Sequence, residues 1–172
     1  MHGSERGILP DVLQSGLTLV FCGTAVSRVS KERGFPYANP GNRFWPTLKE
    51  VGIVPARFDP RDFARMVEHG IGYTDLNKTE FGVDSELSLE HFDVEAMVAK
   101  IRRHRPALVA FTSKNAGAAF LGTRAIDFGR QQTTLHGAEL HVLPSPSGLA
   151  RSHWNIAPWR ALARRYRALR SP

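Results

Sequence analysis

Apolar positions along the chain fall into two rhythms. Leu17-Thr18-Leu19-Val20-Phe21-Cys22, closed by Gly23, and Ala107-Leu108-Val109-Ala110-Phe111 are nearly continuous apolar runs. That pattern predicts strands buried on both faces of a sheet. Elsewhere the spacing is helical: Val94, Met97, Val98 and Ile101 predict a helix over 94–103, which Pro106 keeps from extending. Helices are also expected from Arg43 to Val51, from Pro60 to Glu68 with Asp59 as N-cap, and, rich in small residues, from Asn115 to Phe120. Thr133–Leu135 and Glu139–Leu143 read as paired strands around His136-Gly137. The basic tail from Ile156 to Leu169 places Trp159, Leu162, Ala163 and Tyr166 on one side of a helix. Gly72-Tyr73-Thr74-Asp75-Leu76 reads as a loop that follows a short strand.

Strands alternating with helices predict a three-layer α/β/α single domain over 1–172 with a mainly parallel central sheet. Functional loops in such sheets gather beyond the carboxyl ends of the strands. Those ends are Gly23–Ser27, Thr112–Lys114 and Pro144–Arg151.

Length agrees with one core, since 172 residues would crowd two domains. No apolar run approaches the roughly 20 residues that span a bilayer. Met1-His2-Gly3-Ser4-Glu5-Arg6 lacks the apolar centre of a secretory signal, so a cytoplasmic, nucleoid-associated monomer is expected. Cys22 is the only cysteine and lies in the first apolar run, which points to packing rather than nucleophilic duty. Charge changes the picture more. The net charge is +7, and 18 of the 23 basic side chains are arginine, which suits bidentate phosphate contact and a polyanionic partner. His91, His104, His136, His141 and His153 form no i, i+4 pair with a third ligand, and no P-loop is present. No cofactor is implied.

Three stretches carry candidate chemistry. They are Gly23-Thr24-Ala25-Val26-Ser27 followed by Tyr37-Ala38-Asn39-Pro40-Gly41-Asn42-Arg43-Phe44-Trp45, then Gly72–Leu76, then Leu143-Pro144-Ser145-Pro146-Ser147-Gly148-Leu149-Ala150-Arg151. Together, from about Gly16 to Leu169, they resemble the bacterial mismatch-specific uracil-DNA glycosylases, relatives of the eukaryotic thymine-DNA glycosylases. The resemblance implies a monofunctional DNA glycosylase acting on double-stranded DNA with a mismatched or deaminated base. It implies excision of uracil opposite guanine, with thymine or another deaminated base as further possibilities, leaving an abasic site for base excision repair. A specialist for hypoxanthine and a lesion-binding protein without activity are the alternatives.

Chemistry on a base in a duplex requires the base to be swung out of the stack, at a cost of a few kcal/mol. The resemblance assigns Leu149 as the wedge that fills the vacated space. Ser147, Gly148 and Ala150 form its loop, and Pro144 and Pro146 stiffen it. Arg151 and Lys114 are the phosphate candidates. Tyr37 falls where the family places an aromatic that stacks on the flipped base, and a core tyrosine is the plainer alternative. Asn39, where a histidine is usual, offers a donor and an acceptor to a pyrimidine edge or serves the turn before Pro40. Asn42 lines the pocket or caps the following helix, while Phe44 and Trp45 read as core.

One departure bears on catalysis. The family's first motif reads Gly-Ile-Asn-Pro-Gly, and its asparagine positions the attacking water. Here Gly23, Thr24 and Ala25 stand in the aligned places, and the methyl group of Ala25 holds no water. Other branches of the wider superfamily use an aspartate for this task, and a carboxylate would also steady a cationic sugar. Asp75 is the best-placed candidate, against a helix N-cap or an exposed turn. Asn39, Ser27 and Thr24 are the other groups able to hold the water.

Overall fold

The computed structural model describes residues 8–171, so the amino-terminal residues Met1 to Arg6 read above lie outside it. Five strands form one sheet: β1 (Leu19–Gly23), β2 (Ile71–Asp75), β3 (Leu108–Phe111), β4 (Gly129–Leu135) and β5 (Ala138–Val142). Their order is β2-β1-β3-β5-β4. The first four are parallel, and β4 closes the sheet antiparallel to β5. The helices are α1 (Arg28–Arg33), α2 (Phe44–Glu50), α3 (Val94–His104), α4 (Lys114–Leu121) and α5 (Ala157–Arg170).

Alternation along each strand sorts the side chains into two cores. Leu19 and Phe21 of β1, Ile71 and Tyr73 of β2, and Leu108 and Ala110 of β3 face α2, residues 60–69 and α5, where Phe44, Met66, Trp159 and Leu162 meet them. Cys22, Val109, Phe111 and Leu140 face the other way, onto Met97 and Ile101 of α3 and Ala116 of α4. This is the expected three-layer α/β/α architecture with a mainly parallel sheet. Each large side chain taken fully out of water contributes about 1.5–3 kcal/mol, so the aromatic cluster of the first layer is a main source of stability.

Local differences from the expected elements have physical causes. Gly72–Leu76 is not a loop: Ile71–Asp75 is itself a buried strand, paired residue for residue with β1 from Leu19↔Ile71 to Gly23↔Asp75. Gly72 is required there because Val12 crosses β2, and a β-carbon on Gly72 would lie 2.4 Å from the Val12 carbonyl oxygen. Residues 60–69 form 3-10 helix rather than α-helix, kinked at Asp62. Its buried residues Phe63 and Met66 are three apart, the 3-10 period. Helix α1 has no apolar stripe and buries only Ser30, so the periodicity does not mark it; Ser27 caps its start and Gly34, left-handed, its end.

Candidate active site

The parallel register brings the carboxyl ends of β1, β2, β3 and β5 to one edge of the sheet. Period-two alternation then dictates which side chains meet. Gly23 continues the face of Leu19 and Phe21, Asp75 that of Ile71 and Tyr73, and Thr112 that of Leu108 and Ala110. Tyr37 arrives at the same place from the segment between α1 and α2. A β-carbon on Gly23 would lie 2.6 Å from Asp75 Oδ1, 3.0 Å from the Tyr37 hydroxyl and 3.3 Å from Thr112 Oγ1. The missing side chain of Gly23 is therefore what leaves three polar groups facing one small space.

Each of the three is held. The Tyr37 hydroxyl and Thr112 Oγ1 share a hydrogen bond of 2.8 Å, and the Tyr37 ring is half-buried and stacks on Phe44 with centroids 3.8 Å apart. Tyr37 has φ 56°, a left-handed conformation that its packing and this hydrogen bond maintain. Asp75 is buried, 4 % exposed, which sets aside the exposed turn and the helix cap as its role. The Tyr73 hydroxyl donates to Asp75 Oδ2. Burial pushes the Asp75 carboxyl up to about 6, with the Lys78 charge and the Tyr73 hydrogen bond acting the other way. Desolvation, with the Asp75 charge nearby, pushes both Tyr37 and Tyr73 well above the ordinary phenol range. The thiol of Cys22 is raised for the same reasons and is fully buried, so it is packing and not a nucleophile.

Behind β2 lies a polar network. Thr74 Oγ1 donates to Asp11 Oδ1 and accepts from Lys100, and Asp11 pairs with both Lys78 and Lys100 at 2.9 Å. Against burial, the two ammonium groups hold Asp11 below its ordinary value. Asp11, Lys78 and Lys100 line a cleft of about 1030 Å³ on the α3 side of β2, which Asp75 also borders.

The remaining candidates separate into turn residues and surface residues. Asn39 is exposed, and its Oδ1 accepts from the Gly41 N–H; Asn42 Oδ1 accepts from the Phe44 N–H. Both side chains organise the turn into α2. Ala25 is half-buried, and Thr24 Oγ1 donates to Asp84 Oδ1 at 2.7 Å. The late loop lies beside that turn: the Arg43 N–H donates to the Pro146 carbonyl at 2.8 Å, and a β-carbon on Gly148 would lie 3.3 Å from the Gly41 carbonyl oxygen. Ser147 Oγ accepts from the Leu149 N–H and starts a 3-10 turn over Gly148–His153. Leu149 at its tip is 81 % exposed. Ala150 is half-buried behind it, and Arg151 and Lys114 are exposed.

The sequence model of the uracil DNA glycosylase superfamily matches residues 10–168. The chain belongs to that superfamily. With membership comes the coarse activity: a DNA glycosylase, a hydrolase of N-glycosidic bonds. The fold is also that of a solved protein from Methanosarcina acetivorans, provisionally named a uracil DNA glycosylase. The likeness has a TM-score of 0.65 at 24% identity over 95% of this chain and 98% of that one. No helix among the described residues is long and apolar enough to cross a membrane.

Three residues at or beside the candidate site carry no role that the sequence alone assigns. Thr112 was legible as the polar residue that ends an apolar strand on the same face as Leu108 and Ala110. Tyr73 was legible only once its stretch is read as a strand, because alternation then aligns it with Asp75. Asp84 had no signal. It accepts from Thr24 and, at 2.6 Å, from Asn115 Nδ2, tying the loop after β1 to the start of α4 across 60 and 31 residues of sequence.

Proposed function

We propose that this glycosylase flips uracil out of a mismatch with guanine and hydrolyses its bond to the sugar, leaving an abasic site. The observation that carries this reading is the convergence of Asp75 Oδ1, the Tyr37 hydroxyl and Thr112 Oγ1 on the space above Gly23. The flipped nucleotide docks at the strand ends, with its sugar toward that space. Above a pH of about 6 Asp75 is ionised, and Oδ1 accepts a hydrogen bond from the attacking water. Water oxygen bonds to the anomeric carbon, its proton passes to Asp75, and the electron pair of the broken C–N bond leaves with the base. The carboxylate charge also steadies the cationic sugar on the way. Tyr37 lines the pocket, with the turn set by Asn39 and Asn42 beside it. Leu149 fills the gap left in the duplex, carried by Ser147, Gly148 and Ala150, while Arg151 and Lys114 take phosphates.

A second reading, hypoxanthine as the excised base, is favoured by Ala25. A methyl group stands where asparagine is usual, which leaves more room beside the base. Thymine opposite guanine is a further substrate of the same pocket.

The test is incubation with duplexes that each carry one uracil, thymine or hypoxanthine, followed by alkali cleavage of abasic sites. Product on the uracil–guanine duplex above all others is expected. Product on the hypoxanthine duplex alone would favour the second reading. Tight binding without product on any duplex would leave a lesion-binding protein. Asp75→Asn is expected to lower the single-turnover rate more than tenfold, over 1.4 kcal/mol of transition-state stabilisation, with duplex binding retained. Full activity in Asp75→Asn would remove the carboxylate and turn attention to Asn39.

A further inference from the structure

We infer that Tyr73 is a positioning residue for the reaction: its hydroxyl holds Asp75 Oδ2, so that Oδ1 alone is presented to the space above Gly23. The inference rests on the role proposed for Asp75. A free carboxylate rotates about its last torsion and exchanges its two oxygens, which spreads any bound water over two positions. Here that exchange is blocked. Tyr73 and Asp75 are two apart on β2, on one face, and the tyrosine donates to Oδ2 while Oδ1 is the atom nearest the missing Gly23 side chain.

Tyr73 is itself held in place. It is 1 % exposed, and its ring packs edge-on against Phe63 and Tyr37, with centroids 6.2 Å and 6.1 Å away. Its backbone exchanges two 2.9 Å hydrogen bonds with Val12. Lys78 Nζ lies 5.6 Å from its ring centroid, fixed there by Asp11 and by the Leu9 carbonyl. A phenylalanine in this position would fill the same core, so packing alone does not call for the hydroxyl.

The hydroxyl also acts on the charge of Asp75. The groups around that carboxyl are Tyr73 on its own strand, Cys22 on β1, Tyr37 from the segment before α2, Thr112 after β3, Lys78 after β2, Asp11 from the amino-terminal segment and Lys100 on α3. Among them Lys78, the Tyr73 hydrogen bond and Lys100 favour the ionised form, and Asp11 opposes it. Removing the hydroxyl leaves burial less opposed, and the carboxyl should ionise only at higher pH.

The experiment measures single-turnover excision against pH, from about 5 to 9, for the wild type, Tyr73→Phe, Asp75→Asn and the double variant. The probe is a duplex with uracil opposite guanine, or with hypoxanthine if the lesion panel selects it. The wild type is expected to lose activity below a midpoint of about 6. Tyr73→Phe should move that midpoint up by about one pH unit, with a several-fold lower plateau, because a hydrogen bond to a charged group is lost. Asp75→Asn should lose both the activity and the acid limb, and the double variant should match it. Incorporating 3-fluorotyrosine at 73, a stronger donor of nearly the same size, should move the midpoint down, and this arm does not depend on Tyr73→Phe folding. An unmoved midpoint in both Tyr73 proteins, with Asp75→Asn inactive, would overturn the positioning role alone. An active Asp75→Asn would instead overturn the carboxylate mechanism beneath it.

Discussion

Asp75 is costly to keep where it is. Its carboxyl ionises at 3.8 in an unfolded chain and at about 6 in the folded one, because the site withholds water from the charge. An acid whose folded value is raised destabilises the fold as pH rises. Below the unfolded value both states are protonated and nothing is lost; between about 4 and 6 the unfolded chain releases its proton first. Above 6 the full penalty stands. A gap of roughly two units, at about 1.4 kcal/mol each, is about 3 kcal/mol. Asp75→Asn is therefore expected to melt several degrees higher than wild type at pH 7.5 and near it at pH 3.5, in calorimetry at the two pH values. Equal melting at both would show that the folded carboxyl titrates normally. At the neighbouring position, Gly23→Ala pushes a methyl to within 2.6 Å of an oxygen that Tyr73 does not let swing away. We expect a loss of excision of at least about tenfold with the fold intact. A rate within twofold of wild type would mean that the substrate does not use this space.

At the scale of elements, the late loop gives the sharpest expectation. Leu149 is exposed on a turn that Ser147 and the Arg43–Pro146 hydrogen bond hold in shape, so its side chain contributes little to the core. Leu149→Ala should leave the melting temperature unchanged and slow excision from duplex DNA more than from single strands, since only the duplex leaves a gap to fill. Equal slowing on both substrates would point to general binding. The same scale explains what could be read in advance. β1, β3, α3 and α5 were visible because burial on two faces or one stripe leaves an unmistakable apolar spacing. Trp159, Leu162, Ala163 and Tyr166 are all buried as that spacing required. β2 was hidden because two of its five residues answer to something other than the core. Gly72 makes room for Val12, and Asp75 is a carboxylate facing the space above Gly23. Helix α1 was hidden because its two caps, not an apolar stripe, define it. The late loop and Tyr37 are singled out by resemblance alone, but the meeting of Thr112, Tyr73 and Asp75 is not legible, since it needs the register between three strands separated by long connections.

Across the whole molecule, part of the positive charge lies away from the strand ends. The carboxyl end of α5 lies at the opposite edge of the sheet: Arg170 reaches Thr18 before β1, and Tyr166 donates to the His69 carbonyl before β2. Arg165 is bound to Glu139, and Arg167 donates to the Val51 carbonyl. On the late loop, the turn beside it and the start of α4, the basic groups are Arg151, Arg43 and Lys114. DNA affinity is thus expected to fall with salt at a logarithmic slope of about 3, about 0.9 for each neutralised phosphate. A slope near 6 or beyond, measured by fluorescence anisotropy between low and physiological salt, would mean that the distant arginines also engage the duplex.

The late loop also bears on how such a protein would search. Its turn is held by contacts within the chain: Ser147 caps it, Pro146 is fastened to Arg43, and the leucine stands exposed. A tip built beforehand needs no folding step at the moment of contact, so encounter is governed by diffusion and charge, and little ordering entropy remains to be lost. Differences among base pairs would then be written into departure rather than arrival. Sound and damaged sites would be met equally often, and the damaged ones told apart by dwell time.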